Sequence, residues 1–186
     1  MKTEAELAEL LRVTGALREG HFPNTKQRLL HPALAFQRPE FLACFAESLV
    51  AKCREFGADT VISPAMGGLV IGQEVARKLG VRFIFADKMN DGRRDRLILR
   101  RGFYMFPGEK VLLVDDVASN PSGGRIQETI DLARGYGSVV AGIGVVISQC
   151  SVPFQFKPPV VWLVSLVPDT FVSAEVAASA GKPHPP

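Results

Sequence analysis

From Asp59 to Ser148 the chain alternates short apolar runs with longer helical stretches, and this rhythm leaves few folds open. TVIS (60–63) runs through the turn PAMGG (64–68) into the helical pattern IGQEVARKL (71–79), which stops at Gly80. VRFIFA (81–86) is the next strand. KVLLVDD (110–116) passes through the loop ASNPSGG (118–124) into the helix RIQETIDLARGYG (125–137), and SVVAGIGVVIS (138–148) is again a strand. Strands that are apolar throughout, instead of at alternate residues, are buried on both faces. Right-handed helical crossovers cover both faces of such a sheet, so the pattern predicts an α/β fold with a central, mainly parallel sheet. VVWLVSLV (160–167) adds a late strand.

Before Asp59 the signals are helical. Thr3 and Glu6 have the spacing of a capping box, with Leu7, Leu10 and Leu11 as the apolar stripe behind them. Residues 15–32 read as loop. A second helix opens at Pro39, carries Phe41, Leu42, Phe45, Leu49, Val50 and Cys53 at helical spacing, and ends before Gly57. The 186 residues suit one domain, with 1–38 as a small N-terminal segment and 174–186 as a Pro-containing tail.

A composition of 47% hydrophobic and 22% charged residues supports a continuous core. No apolar run approaches the ~18 residues of a membrane-spanning helix, and acids occupy the start, so a cytoplasmic protein is expected. The net charge of +3, with no basic recognition helix, argues against nucleic acid as a partner. Cys44, Cys53 and Cys150 lack metal-ligand spacing and read as reduced core thiols, while His21, His31 and His184 are too scattered for a metal cluster.

The chemistry concentrates in VLLVDDVASNPSGGR (111–125). Ligands of open α/β sheets bind beyond the carboxyl ends of the strands, where Asp115 and Asp116 fall. Neighbouring strand residues point to opposite faces, so both acids are not expected to be buried; one is free to hold hydroxyls or a metal. The loop from Ser119 to Gly124, with Asn120 and Ser122, Gly123 and Gly124 before Arg125, offers hydroxyls and free amides at a helix N-terminus, which suits a phosphate. The alternative is a solvated strand end with glycines that only turn the chain. A second turn of the same kind, Ala65, Met66, Gly67 and Gly68, gives room for a second phosphate. Neither loop is a Walker A motif, and Gly142 and Gly144 lie inside a strand, so they form no dinucleotide fingerprint. KMNDGRRDRLILRR (88–101) carries six basic and two acidic residues, including Lys88 and Arg101, and either neutralises a diphosphate or solvates a hairpin.

These segments resemble the type I phosphoribosyltransferases, and RVTGALREGHF, DTVISPAMGGLVIGQEVARKLGV, DGRRDRLILRRGF, PGEKVLLVDDV and AGIGVVIS resemble the orotate phosphoribosyltransferases in order and spacing. The resemblance implies the type I phosphoribosyltransferase fold, with residues 1–38 as a hood. It implies transfer of a 5-phosphoribosyl group from phosphoribosyl diphosphate (PRPP) to a pyrimidine base, orotate first, with Mg²⁺ as cofactor. Asp115 and Asp116 would contact the ribose hydroxyls and, through PRPP, the metal; Ser119 to Arg125 would cradle the 5-phosphate. Ala65 to Gly68 would bind diphosphate, while Lys26, Lys88 and Arg101 stabilise its departing charge. Gln149 falls where the base is met, and a homodimer is implied. Two other readings stay open: the same scaffold with a different base, and a non-catalytic PRPP-binding regulator.

Overall fold

A computed structural model describes residues 2–17, 30–90 and 95–166. The elements are α1 (Glu4–Val13), α2 (Ala33–Phe36), α3 (Pro39–Cys53), β1 (Thr60–Pro64), α4 (Gly68–Leu79), β2 (Arg82–Asn90), β3 (Asp95–Leu99), β4 (Lys110–Ala118), α5 (Gly124–Gly135), β5 (Val139–Ser148) and β6 (Val160–Ser165). Six strands form one sheet in the order β3-β2-β1-β4-β5-β6. All neighbours are parallel except β2 and β3, which form an antiparallel hairpin from the basic stretch. The α/β reading therefore holds, with helices on both faces of the sheet.

One apolar cluster joins Leu7 and Leu11 of α1, Phe45 and Leu49 of α3 and Ile71 of α4 to Val61, Leu112 and Val114 of the sheet. A second, on the other face, joins Ile126 and Ile130 of α5 to Ile62, Leu113 and Ile143. Val61 and Ile62 of β1, and Leu112 and Leu113 of β4, thus enter different clusters, because successive side chains leave opposite sides of the pleat. Buried on both sides, β1 has no exposed residue.

The local signals explain most of the boundaries. Thr3 Oγ1 accepts from the Glu6 N–H at 3.3 Å and the Glu6 carboxylate accepts from the Thr3 N–H at 2.7 Å, completing the capping box. Pro39 stands in the first turn of α3, and a 3₁₀ turn at Arg54–Phe56 follows α3. Gly142 and Gly144 are empty for packing reasons: a Cβ on Gly142 would overlap the Phe56 ring, and one on Gly144 would lie 2.9 Å from Cys53 Sγ.

Some expectations need correction. The α4 helix starts at Gly68, three residues before the helical stretch read from Ile71, and Gly68 packs against the Val114 carbonyl of β4. The strand begun by VRFIFA continues to Asn90, since the hairpin partner β3 supplies hydrogen bonds beyond Ala86. Of the three free thiols only Cys53 is in the core, where burial pushes it up to about 12; Cys44 and Cys150 are half-buried. Residues 174–186, His21 and His184 lie outside the described residues. Among the described residues no helix is long and apolar enough to cross a membrane.

At the amino ends of the strands a charged cluster ties three segments together. Arg82 donates to Glu109 Oε1 at 2.7 Å and to Thr60 Oγ1 at 3.1 Å, while the Phe106 N–H donates to Glu109 Oε2 at 2.9 Å. The Thr60 hydroxyl also donates to Glu109. The Arg82 guanidinium lies 4.8 Å from the Tyr104 ring centroid, adding a cation–π contact. Burial works against ionisation of Glu109, but the donors of Thr60, Phe106 and Arg82 outweigh it and hold the carboxyl below its usual range.

A carboxylate so lowered stabilises the fold above the unfolded-state value, roughly pH 4.3, and loses that contribution as pH falls through its lower folded value. Glu109→Gln should therefore cost about 2 kcal/mol at neutral pH, measured by urea denaturation. The gap between the two proteins should narrow as pH falls below the unfolded-state value and close below the lowered folded value.

Candidate active site

At the carboxyl ends of β1 and β4 the sheet opens into a cleft of about 190 Å³. Pro64, Ala65 and Gly67 wall one side, the end of β4 from Asp115 to Ala118 forms the floor, and Ser119, Asn120 and Gly123 to Ile126 close the other side. Parallel strands place their carboxyl ends at one edge, and here β1 and β4 each send a turn into a helix start. Two loops distant in sequence therefore face each other across two acids.

The acids do not diverge as alternation predicts. The Asp116 N–H donates to Asp115 Oδ1 at 2.9 Å and the Val117 N–H donates to Asp116 Oδ1 at 2.8 Å, so each carboxylate bends forward along the chain. Both meet the turn after β1. A Cβ on Gly67 would lie 2.5 Å from Asp116 Oδ1, and one on Gly68 would lie 3.0 Å from Asp115 Oδ1. Asp115 is only 6% exposed. Burial first, and the neighbouring Asp116 charge second, hold its carboxyl well above the usual range, with Arg125 pulling the other way. Burial also raises Asp116. Two such carboxylates favour whatever brings them protons or positive charge, which ligand hydroxyls or a cation would do.

The opposite wall is an anion site in form. Gly123 caps α5 without any side-chain hydrogen bond, leaving the first-turn amides to the cleft. Gly124 has φ 66°, the left-handed conformation that a glycine adopts without strain. One expected donor is engaged: Asn120 Oδ1 accepts the Ser122 N–H at 3.0 Å, an Asx turn that competes with any ligand for that amide. Arg125 lines the same wall, and its Nη1 is buried with no hydrogen-bond partner.

A family model for the phosphoribosyl transferase domain matches residues 41–167. Orotate phosphoribosyltransferase of Chlorobium phaeobacteroides is 42% identical over 147 residues, covering 77% of this chain and 73% of that protein. That of Thermotoga maritima is 36% identical over 164 residues, 86% of this chain and 84% of that one. The chain belongs to the orotate phosphoribosyltransferase family. Among solved structures, orotate phosphoribosyltransferase from Aeropyrum pernix superposes with a TM-score of 0.71 over 94% of this chain and 98% of that one, at 18% identity. Adenine phosphoribosyltransferase from Thermoanaerobacter pseudethanolicus gives 0.70 over 86% and 99%, also at 18% identity. At such identities the two structures speak for the fold of this family member alone.

Within this orotate phosphoribosyltransferase family member, the cleft gathers Ala65, Gly67, Asp115, Asp116, Ser119, Asn120, Gly123, Gly124 and Arg125 from the residues expected in a site. Met66 is 78% exposed, and neither it nor Ser122 or Gly68 lines the cleft; Gly68 instead packs under the acids. Lys88, on β2, and Arg101, in the turn after β3, stand outside the lining. Gln149 follows β5, and its N–H donates to the Ala118 carbonyl at 2.8 Å. Its Nε2 is buried and unpartnered. Lys26 lies outside the described residues. The wall residues Pro64, Val117 and Ile126 carry no chemical signal and were not singled out from sequence.

Gly67 has an ordinary helical φ of −59°, so its backbone would accept alanine, and the nearest obstacle to the side chain is the Asp116 carboxylate. Gly67→Ala should lower kcat/KM by about 100-fold through displacement of that carboxylate. The melting temperature, measured alongside, should change little.

Proposed function

We propose that this protein transfers the 5-phosphoribosyl group of PRPP to a ring nitrogen of orotate, giving orotidine 5′-monophosphate and diphosphate. The observation that carries the reading is the cleft: two adjacent carboxylates between a glycine turn and an uncapped helix start. A 42% identical relative named orotate phosphoribosyltransferase supplies the substrate.

In this reading the ribose hydroxyls donate to Asp115 and Asp116. The first-turn amides of α5, the Ser119 hydroxyl and Arg125 hold the 5-phosphate, where helix dipole and guanidinium favour the same charge. The turn Ala65–Gly68 takes the diphosphate. As the bond from the anomeric carbon to diphosphate breaks, its electron pair leaves with diphosphate, and the ring nitrogen supplies the pair for the new C–N bond. Positive charge develops on the sugar meanwhile, and the two carboxylates beside it stabilise that state more than the ground state. Gln149 has a buried, unsatisfied amide donor, which supports its assignment to an oxygen of the base.

Mg²⁺ suits the donor set. Asp115 and Asp116 would meet the ion indirectly, through the PRPP oxygens they hold, and substrate phosphates and water commonly complete the shell of Mg²⁺. When bound through PRPP it neutralises the diphosphate and so eases its departure.

Lys88 and Arg101 stand away from the cleft of their own chain, which supports a homodimer in which the β2–β3 hairpin of one copy closes over the cleft of the other. Lys26 is assigned to the same diphosphate by resemblance alone. A cytoplasmic setting accords with three free thiols.

Orotate, PRPP and Mg²⁺ should give orotidine 5′-monophosphate, followed by absorbance and by diphosphate release. Asp115→Asn and Asp116→Asn should each lower kcat/KM about 10- to 100-fold, the worth of a hydrogen bond to a charged group. Turnover with another base only would transfer the reading to that base, and PRPP binding without any turnover would make the protein a sensor.

The dimer has its own test. Lys88→Ala and Asp115→Asn variants, each weak alone, should regain activity when unfolded together and refolded as a mixture, since one mixed cleft keeps both groups. No recovery would return Lys88 to a surface role.

A further inference from the structure

The phosphate loop is held from outside. Gln149 and Gln155, both in the connection between β5 and β6, donate their N–H groups to the carbonyls of Ala118 and Pro121 at 2.8 Å each. The second bond has a consequence because of what shares its peptide group. The Pro121 carbonyl and the Ser122 N–H belong to one planar unit, and Asn120 Oδ1 holds that N–H at 3.0 Å. One peptide plane is therefore gripped on both edges, immediately before Gly123 and Gly124, the two residues with the least stiffness of their own.

The donor is well anchored. From Pro153 to Lys157 exposed residues alternate with half-buried Phe154 and Phe156, as in an extended segment lying on a surface. The two rings stack at 5.9 Å, and Phe154 meets Trp162 of β6 edge-on at 5.6 Å. Both phenylalanines pack on the apolar cluster that contains Ile126 and Ile130 of α5. The strap and the helix whose start faces the cleft thus rest on common ground.

We propose that Pro153–Lys157 is a strap that sets the shape of the phosphate loop, with the Gln155 backbone N–H as its positioning group. The inference rests on the proposed function for what the loop holds, a sugar-linked phosphate. Gln155 touches no ligand and acts through the Pro121–Ser122 peptide, so its loss weakens phosphate binding and leaves the chemical step intact. The side chain of Gln155 is exposed and plays no part.

That separation makes a clean test. Gln155→Pro deletes the N–H, whereas Gln155→Ala keeps it. With ribose 5-phosphate as the titrated probe, Gln155→Pro should weaken binding up to about tenfold, the range of one hydrogen bond, and Gln155→Ala should match the unaltered protein. The KM for PRPP should rise by a similar factor while kcat at saturation stays put. Should Gln155→Pro fail to fold, Phe154→Ala, which loosens the strap, should raise the same Kd with its N–H groups retained. Equal affinities for the proline variant and the unaltered protein, equal losses in both Gln155 variants, or a Phe154→Ala variant that folds and binds normally would overturn the strap. No binding of ribose 5-phosphate by the unaltered protein would overturn the functional reading itself.

Discussion

The start of α4 lies so close to the carboxyl end of β4 that no side chain fits between them, and the cleft depends on this contact. Gly67 and Gly68 leave room for Asp116 and Asp115, and Gly72, one turn on, leaves room for Ser63 of β1. Any Cβ at these places would lift the helix from the sheet or push a carboxylate aside. The close approach is also what buries Asp115. Burial in turn disfavours its charge and leaves the pair seeking positive partners. The position of α4, through three glycines, therefore sets both the shape of the cleft and its electrostatic appetite.

Much of the fold was legible because apolar runs, caps and glycine stops act locally. The strand from Lys110 and the helix beginning near Arg125 needed only period and length to be recognised. The paired acids followed by a glycine loop were legible too, since a parallel sheet sends such residues to one edge. What escaped has a common physical cause. Backbone hydrogen bonds leave no mark on the side chains that surround them, so neither the grip of Gln155 on Pro121 nor the forward bend of Asp115 and Asp116 could be read. The bond from Asn120 to the Ser122 amide was available in principle, because Asn at that spacing favours an Asx turn. The glycines at 142 and 144 show the reverse case. Their place inside a strand excluded a dinucleotide fingerprint, but the packing requirement shows only in the Phe56 ring and the Cys53 thiol beside them.

The two edges of the sheet treat polar groups in opposite ways. At the amino ends Thr60, Arg82 and Glu109 hydrogen-bond one another, although Thr60 is wholly buried. At the carboxyl ends satisfaction fails. Among the described residues, four buried side-chain polar atoms lack a partner, and three of them belong to Ser63 at the end of β1, Arg125 at the start of α5 and Gln149 just past β5. A buried donor left unpaired costs about 1–3 kcal/mol, so natural folds rarely leave such groups in company. Of the three, Arg125 lines the cleft that holds the two carboxylates of raised pKa.

That imbalance bears on how a ligand would be gripped. Under the proposed function, a phosphate ester in the cleft would meet Arg125, whose Nη1 is buried without a protein partner, without first breaking an internal bond of that side chain. The Ser122 amide is the exception, since Asn120 already holds it. That bond fixes the peptide ahead of Gly123, while no side chain caps the start of α5. Preorganisation of this kind lowers the entropy lost on binding, because the loop does not have to find its shape around the phosphate. The stiffness is not supplied by Gly123 and Gly124, which end the loop. It comes from the peptide plane between Pro121 and Ser122, and therefore from the segments on either side of it.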